Sequence, residues 1–352
     1  GALMIGMALV GAATVIAATT QASVASVVRQ EMSADIVVRS ADSNVPAGAI
    51  ADIAALPEVD SFDVMAFAVG QVAEQGSQAE QAIIVAADRA AFDRSLAVEV
   101  IDGDLDTLTR GGAVVNEMAA GTDWEVGDTL TLSASAGQVE VEVGAIVSSN
   151  AMGGGFIVAP ETLNAIEVAQ AQLVDTVFVN AADGEAEALH EAVAAAVAPY
   201  IIVSVLTQEQ FISSMAAQID QILVILYALL GLSIVIAVLG IVNTLALSVI
   251  ERTREIGLLR AVGLGRLQLA GTVTIESVLT AVFGTVVGLT FGVALASTLP
   301  TLFSEEGLSE LSIPWGSLVG MLVLAVVVGV LAALWPGVRA ARLRVLDAVS
   351  YE

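Results

Sequence analysis

An α+β membrane fold, with four transmembrane helices and a large mixed α/β domain inserted between the first and second, is predicted by three features of the sequence. Hydrophobic residues make up 57% of the chain and charged residues only 14%, too little polar surface for a water-soluble fold of 352 residues. The apolar residues gather into four stretches with at most one charge each, long enough to cross a hydrocarbon core of about 30 Å. Between the first two stretches lies a long acidic segment that carries strand and helix patterns of its own.

The first span is residues 1–19, GALMIGMALVGAATVIAAT, which contains no charge. It starts at Gly1 without a charged flank, which we read as a missing cytoplasmic segment; a cleaved signal peptide is the competing reading. The second span is 219–250, uncharged from Ile222 to Ile250, and the third is 267–299, interrupted only by Glu276. The fourth is 317–335. The chain has no Lys, so its twelve Arg set the orientation. Arg252, Arg254, Arg260 and Arg266 lie between spans two and three, and Arg339, Arg342 and Arg344 follow span four. Segments 251–266 and 336–352 are therefore assigned to the cytoplasm. Residues 20–218 and the 300–316 connection then face the extracytoplasmic side of a cell inner or plasma membrane.

The 20–218 segment holds five Arg, outnumbered more than fivefold by Asp and Glu, a field that repels nucleic acid and anionic headgroups. Solvation in cation-rich surroundings explains such a surface; recruitment of a cationic partner is the alternative. Residues 35–39 (DIVVR) read as a strand and Pro46–Leu56 as a helix introduced by proline. β-Forming residues cluster at 80–86, 112–116, 128–133 and 138–147 between Gly and Asp punctuators. Residues 176–180 form another strand, 185–197 an Ala-rich helix, and 201–205 a last strand. The pattern describes an α/β unit assembled from both ends of the segment, with a mostly β insertion near 66–165.

Candidate chemistry here is sparse. Asp102, Asp104 and Asp106 in IDGDLD could approach one hard cation, but the further oxygen ligands and closing Glu of a calcium loop are not specified, so a structural turn is expected. His190, the sole histidine, has no Cys or repeated Glu-x-x-His beside it and no metal or nucleophilic role is assigned. Gly153–Gly155 lacks the Lys-Ser or Lys-Thr of a phosphate loop and reads as flexible backbone. No Cys occurs, so disulfide and thiolate chemistry are excluded.

Between spans two and three, Ile256, Leu259 and Val262 recur at helical spacing on one side, while Arg252, Glu255 and Arg260 place charge elsewhere. Such a helix can lie at the membrane surface and offer a partner an apolar ridge with ion pairs; an ordinary amphipathic loop helix is equally compatible. The run NTLALSVIERTREIGLLRAVGLGRLQL, residues 243–269, resembles the signature of the FtsX-like permease family, also called MacB-type or type VII ABC transporter permeases. Glu276, the Gly284 and Gly288 pair and the terminal WPGVRAARLRVLDAVSYE agree with it, and the resemblance covers roughly 219–352. The opening GALMIGMALVGAATV is similar to the family's span before the external domain, and RGGAVVNEMAAGTDWEVGDTLTL, residues 110–132, to a looser pattern of its MacB-like periplasmic core.

The resemblance implies a permease unit paired with a second one, whether identical, homologous or a missing first half. It implies a cytoplasmic ABC ATPase dimer that binds ATP and Mg, since this chain has no Walker A sequence and no cofactor or catalytic set of its own. By matching position, Glu251 to Val262 would form a coupling helix: Arg252, Arg254, Glu255 and Arg260 its polar contacts, and Ile256, Gly257, Leu258 and Leu259 its packed surface. The implied function is mechanotransmission of ATP-driven movement to the external domain, for export, for lipoprotein or lipid extraction, or for control of a cell-envelope protein. A non-transporting membrane scaffold or receptor for an extracytoplasmic partner is the alternative. Glu276 is expected to pair with Arg260 or Arg266. Gly284, Gly288 and Gly292, spaced by four, are expected to form a close helix-packing face, with the opposing helix unassigned.

Overall fold

Hydrocarbon offers no water to pair a free N–H or C=O, so long apolar runs cross it as helices that satisfy their own backbone. The computed structural model of the chain describes residues 2–74, 78–120, 124–149, 152, 154–168, 172–182, 184–303, 308 and 310–342. It begins with α1 (Ala2–Glu31), β1 (Ile36–Ser40), α2 (Ala47–Ala54), β2 (Val59–Glu74) and β3 (Glu80–Ala86). There follow α3 (Ala91–Arg94), β4 (Glu99–Gly103), a 3₁₀ turn (Leu105–Arg110), β5 (Ala113–Asn116) and α4 (Glu117–Ala120). Next come β6 (Thr129–Ser133), β7 (Gln138–Ser148), β8 (Phe156–Val158), α5 (Pro160–Ile166), β9 (Leu173–Ala181), α6 (Ala186–Val197) and β10 (Val203–Thr207). The chain then continues through α7 (Gln208–Glu251), α8 (Thr253–Ala261), α9 (Arg266–Ala296), α10 (Leu299–Leu302) and α11 (Trp315–Arg342). Two units result, one from residues 2–22, 217–303 and 310–342, the other from 23–216.

The 23–216 unit is built on one ten-stranded sheet in the order β10-β1-β9-β2-β3-β8-β5-β7-β4, with β6 bridging β2 and β7. The expected α/β unit is its first part. β1 lies between β10 and β9, antiparallel to both, and Ile36 and Val38 on one face pack with Ile53 of α2 and with Leu189 and Val193 of α6. The opposite face of β1 presents Val37 to Val28 and Met32 at the end of α1. Both faces are buried, which accounts for the unbroken apolar run in this strand.

The sequence reading omitted β2, β4 and β8. Sixteen residues long, β2 pairs with β9 over Val59–Phe67 and then with β3 over Ala66–Val72, so it carries the sheet from the α/β unit into the insertion. Two register shifts interrupt its pairing with β9, and Asp60, Ser61 and Asp63 dilute its apolar pattern. The last strand starts at Val203, not at Ile201, because residues 200–202 form the turn that follows α6, with Val203 N–H donating to the Tyr200 carbonyl. Gly154 is also tightly placed, contrary to the expected flexible backbone: a Cβ there would lie 2.3 Å from Val85 Cγ2. Gly153 lies outside the described residues.

Buried Asn116 fastens the segment after β7. Its Nδ2 donates to the carbonyls of Ser149 and Met152 at 3.0 and 3.1 Å, and its Oδ1 accepts the Ser149 N–H at 3.1 Å. Asn116→Ala leaves these backbone groups without that partner, at about 1–3 kcal/mol for each that stays unsatisfied. Thermal unfolding of the full chain in detergent, followed through Trp124 fluorescence with Trp315 and Trp335 replaced by Phe, should show a Tm lowered by roughly 5–15 °C. An unchanged Tm would mean that water replaces the amide.

Candidate functional site

The four long helices α1, α7, α9 and α11 are each apolar and long enough to cross a membrane, matching the expected four spans. In the membrane unit, Leu3, Met7 and Val10 of α1 meet Leu230 and Ala237 of α7, Ala281 and Leu289 of α9, and Leu318 and Met321 of α11. α9 and α11 are held close by a hydrogen bond from Ser277 Oγ to the Gly329 carbonyl at 2.7 Å. A Cβ on Gly329 would lie 2.7 Å from Val278 Cα, so the contact needs a residue without a side chain.

The glycine row of α9 meets α1 of the same chain. A Cβ at Gly288 would stand 2.4 Å from the Met4 carbonyl oxygen, and one at Gly292 would stand 2.3 Å from that of Ala8. At Gly284 the nearest atom is Met4 Cβ at 4.0 Å, an ordinary contact. The helices therefore converge from Gly284 toward Gly292. The obstructing atoms are backbone and cannot rotate away.

α8 joins α7 to α9. Thr253 Oγ1 lies 2.8–2.9 Å from the carbonyls of Val249 and Ile250, and the helix ends where Gly263 takes φ +113°, a left-handed conformation. Ile256 is buried with Leu245 and Val249 of α7 and Leu269 and Val273 of α9, and Gly257 beside it is also buried. Leu258, Leu259 and Val262 are exposed at 56%, 53% and 90%. This corrects the expectation of one apolar ridge: at 100° per residue, two steps of three turn Val262 about 120° away from Ile256. Nor do Ile256 to Leu259 form one packed surface, since the first two anchor α8 and the last two face outward.

Glu251, Arg252, Arg254 and Glu255 are exposed. Arg252 Nε donates to Glu255 Oε2 at 3.0 Å, and this bond, then the Glu255 charge, raises the Arg252 pKa above its ordinary value, with a smaller contribution from the Glu276 charge. Glu276 is thus felt by Arg252, and among the described residues it makes no ion pair with Arg266. The expected partner Arg260 has its side chain outside the described residues, as does Arg342, and Arg344 lies wholly outside them. At the end of α11 the Arg339 guanidinium sits 5.3 Å from the Trp335 ring centroid.

Sequence reasoning missed the joint between α1 and α7 within the 23–216 unit. Gln208 Nε2 donates to the Val28 and Met32 carbonyls at 3.2 and 2.8 Å, capping the end of α1 from the start of α7. Arg29 pairs with Glu209 at 3.2 Å, and Arg39, itself paired with Asp175, lies over the Phe211 ring. These partners are 136–180 residues apart, and no local pattern marks them. The acidic run has turn roles: Asp102 accepts the Gly103 N–H, Asp104 accepts the Asp106 N–H, and Asp106 pairs with Arg89. His190 lies on α6, its Nε2 buried without a hydrogen-bond partner among the described residues.

The contacts around the glycine row predict opposite signs along one helix. Gly284→Ala should be neutral or stabilising by up to about 1 kcal/mol from helix propensity. Gly288→Leu and Gly292→Leu should destabilise by about 1–3 kcal/mol or more, because α1 and α9 must separate. Thermal denaturation of the three variants in one detergent measures this, and equal behaviour at all three positions would refute the close approach.

The FtsX-like permease C-terminal family profile matches residues 227–345, which hold most of α7 and all of α8, α9 and α11. Over 151 residues the chain is 29% identical to an ABC transporter permease of Methanocaldococcus jannaschii, covering 42% of this chain and 38% of the relative. Over 126 residues it is 33% identical to the macrolide export ATP-binding/permease protein MacB of Nitrobacter winogradskyi, covering 36% and 19%. The matched part thus spans well under half the length of these relatives. The periplasmic region of MacB from Actinobacillus actinomycetemcomitans aligns with 52% of this chain and 94% of its own, at 12% identity and a TM-score of 0.38. The likeness to FtsX-like permeases is thus carried by residues 227–345.

Proposed function

We propose that the chain is the permease subunit of an ABC transporter complex, in which α8 receives ATP-driven movement from a cytoplasmic ATPase and the four spans pass it to an extracytoplasmic domain, residues 23–216. The observation that carries this reading is the division of α8. Ile256 and Gly257 root it in the bundle formed by α7 and α9, while Arg252, Arg254, Glu255, Leu258, Leu259 and Val262 are exposed beside it. A force applied to the exposed side acts on helices that are already packed. The relatives are called ABC transporter permeases, and MacB is called an ATP-binding/permease protein, which supports an ATPase partner.

ATP and Mg would be bound by that partner; this chain's residues contribute the docking face. Arg252 and Glu255 lie 3.0 Å apart and place a paired positive and negative charge on the exposed side. The pair is exposed and screened by solvent, so its own energetic value is small and docking needs apolar contact as well. Leu258, Leu259 and Val262 supply it. A second permease unit completes the assembly. The cap of Gln208 on α1, with Arg29–Glu209 beside it, gives the first and second helices a shared support at the base of the domain. Movement of one is thereby passed to the other.

Two measurements test this. The double variant Glu255→Arg, Arg260→Glu should insert normally yet lose at least tenfold in co-purified ATPase and in stimulated ATP hydrolysis; wild-type values for both would remove α8 from the interface. For orientation, single cysteines replace Ala136 and Val262, both exposed, in a chain with no other thiol. An impermeant reagent on intact cells should label the first and spare the second. The reverse pattern would invert the topology.

A further inference from the structure

The fourth span, α11, has two distinct faces. Ala325, Val328 and Ala332 are buried, while Val323, Val327, Leu331 and Leu334 are exposed, so an apolar strip runs along one side of the helix. Trp315 and Trp335, 68% and 54% exposed, stand at the two ends of its apolar stretch. Twenty residues separate them, which at about 1.5 Å per residue spans about 30 Å, the thickness of the hydrocarbon core. Trp favours the boundary between hydrocarbon and headgroups, so the two rings mark where α11 leaves the bilayer on either side.

The two ends differ in charge. In sequence, the connection before Trp315 carries Glu305, Glu306 and Glu310 and no Arg. At the other end the Arg339 guanidinium lies 5.3 Å from the Trp335 ring centroid, one helical turn farther toward the cytoplasm. Arg266 of α9 stands at this same end. A Cβ on Gly337 would lie 3.7 Å from the Ala270 carbonyl oxygen, and Arg266 is one turn before Ala270. Arg266 and Arg339 are both exposed, and neither makes an ion pair among the described residues, whereas Arg252 is occupied by Glu255. In a chain of net charge −26 these two cations still lack a carboxylate among the described residues.

We propose that Trp335, Arg339 and Arg266 form a binding site for an anionic phospholipid of the cytoplasmic leaflet, with its phosphate on the guanidinium groups and its acyl chains along the exposed strip of α11. Guanidinium groups suit a phosphate because they grip it with parallel N–H donors. A free phosphate would match only the cations, and an apolar peptide only the strip. A phospholipid matches both, in the order in which the helix presents them. The leaflet follows from the charges, since anionic headgroups are attracted at the Arg339 end and repelled by the carboxylates of the Trp315 end. This site goes beyond the coupling reading and needs only that α11 spans the membrane with its Arg end inside.

The protein's own tryptophans make the test direct. Full-length chains that keep only Trp335 or only Trp315, with the other tryptophans replaced by Phe, are reconstituted into vesicles of phosphatidylcholine and phosphatidylglycerol. One lipid or the other carries bromine on its acyl chains, at matched mole fractions. Bromine quenches a ring only on near contact, so the two quenching levels give the relative occupancy of each lipid beside that ring. At Trp335 phosphatidylglycerol should be preferred about threefold to tenfold. The preference should shrink in Arg339→Gln, disappear in the double variant Arg339→Gln, Arg266→Gln, and be partly kept in Arg339→Lys, which retains the charge but not the fork. At Trp315 the two lipids should quench alike. Equal quenching by both lipids at Trp335, an undiminished preference in the double variant, or the same preference at Trp315 would each overturn the site. The comparison of Trp335 with Trp315 leaves both Arg in place, so it decides even where an Arg variant inserts poorly. No ATPase enters the experiment, so its failure would leave the coupling reading standing.

Discussion

A domain inserted between two membrane helices must return the chain to the place from which it departed, and in this protein the pairing of β1 with β10 meets that requirement. Ile36, five residues after α1, faces Thr207, the residue before α7. The strand hydrogen bonds bring entry and exit side by side, and Gln208 then reaches the last carbonyls of α1. The Val28 carbonyl also accepts the Met32 N–H at 3.0 Å, so Gln208 adds a second donor there and supplies one to Met32. Val28, Met32, Phe211 and Ile212 share one apolar cluster with the sheet, so these helix ends are part of the domain's core.

The membrane unit is organised by close approach, with the Ser277–Gly329 hydrogen bond at one such contact. Gly288 and Gly292 admit the backbone of α1, and Gly329 admits α9 to α11. Water is already excluded in a bilayer, so helices gain little from burying apolar surface against each other; dispersion between well-fitted backbones is what remains. Where such a fit is made, as at Gly288 and Gly292 of α9, a Cβ would meet backbone atoms of the neighbouring helix. In α7, Gly231 and Gly240 have no such neighbour among the described residues, and most of this helix's apolar side chains are exposed.

Between these helices α8 is short and divided by burial. Its buried residues hold it in place, and its exposed charges and leucines remain available. Ile256 is the pivot of this arrangement, lying among residues of both flanking helices.

The four spans, the inserted α/β unit, most of its strands and the location of α8 were legible in the sequence, because uncharged run length, alternation and Arg placement are local properties. So was the glycine row of α9, which is a spacing. Its partner was not, since the identity of α1 as the opposing helix depends on how four separate segments assemble. The long strand β2 escaped notice because it serves two sheet regions in turn and its register shifts blur the alternation. The face of α8 was misjudged where a row spaced by three was taken as straight, although such a row winds around a helix. Gln208, Arg39 and Asn116 carried no signal at all: each is a polar residue of ordinary surroundings in the chain, and its role arises only when a distant carbonyl, carboxylate or ring is brought to it. Local composition determined which segments enter the membrane and which do not, whereas the contacts that join them were decided by tertiary packing, because hydrogen bonds and van der Waals contacts act between neighbours in space and not along the chain.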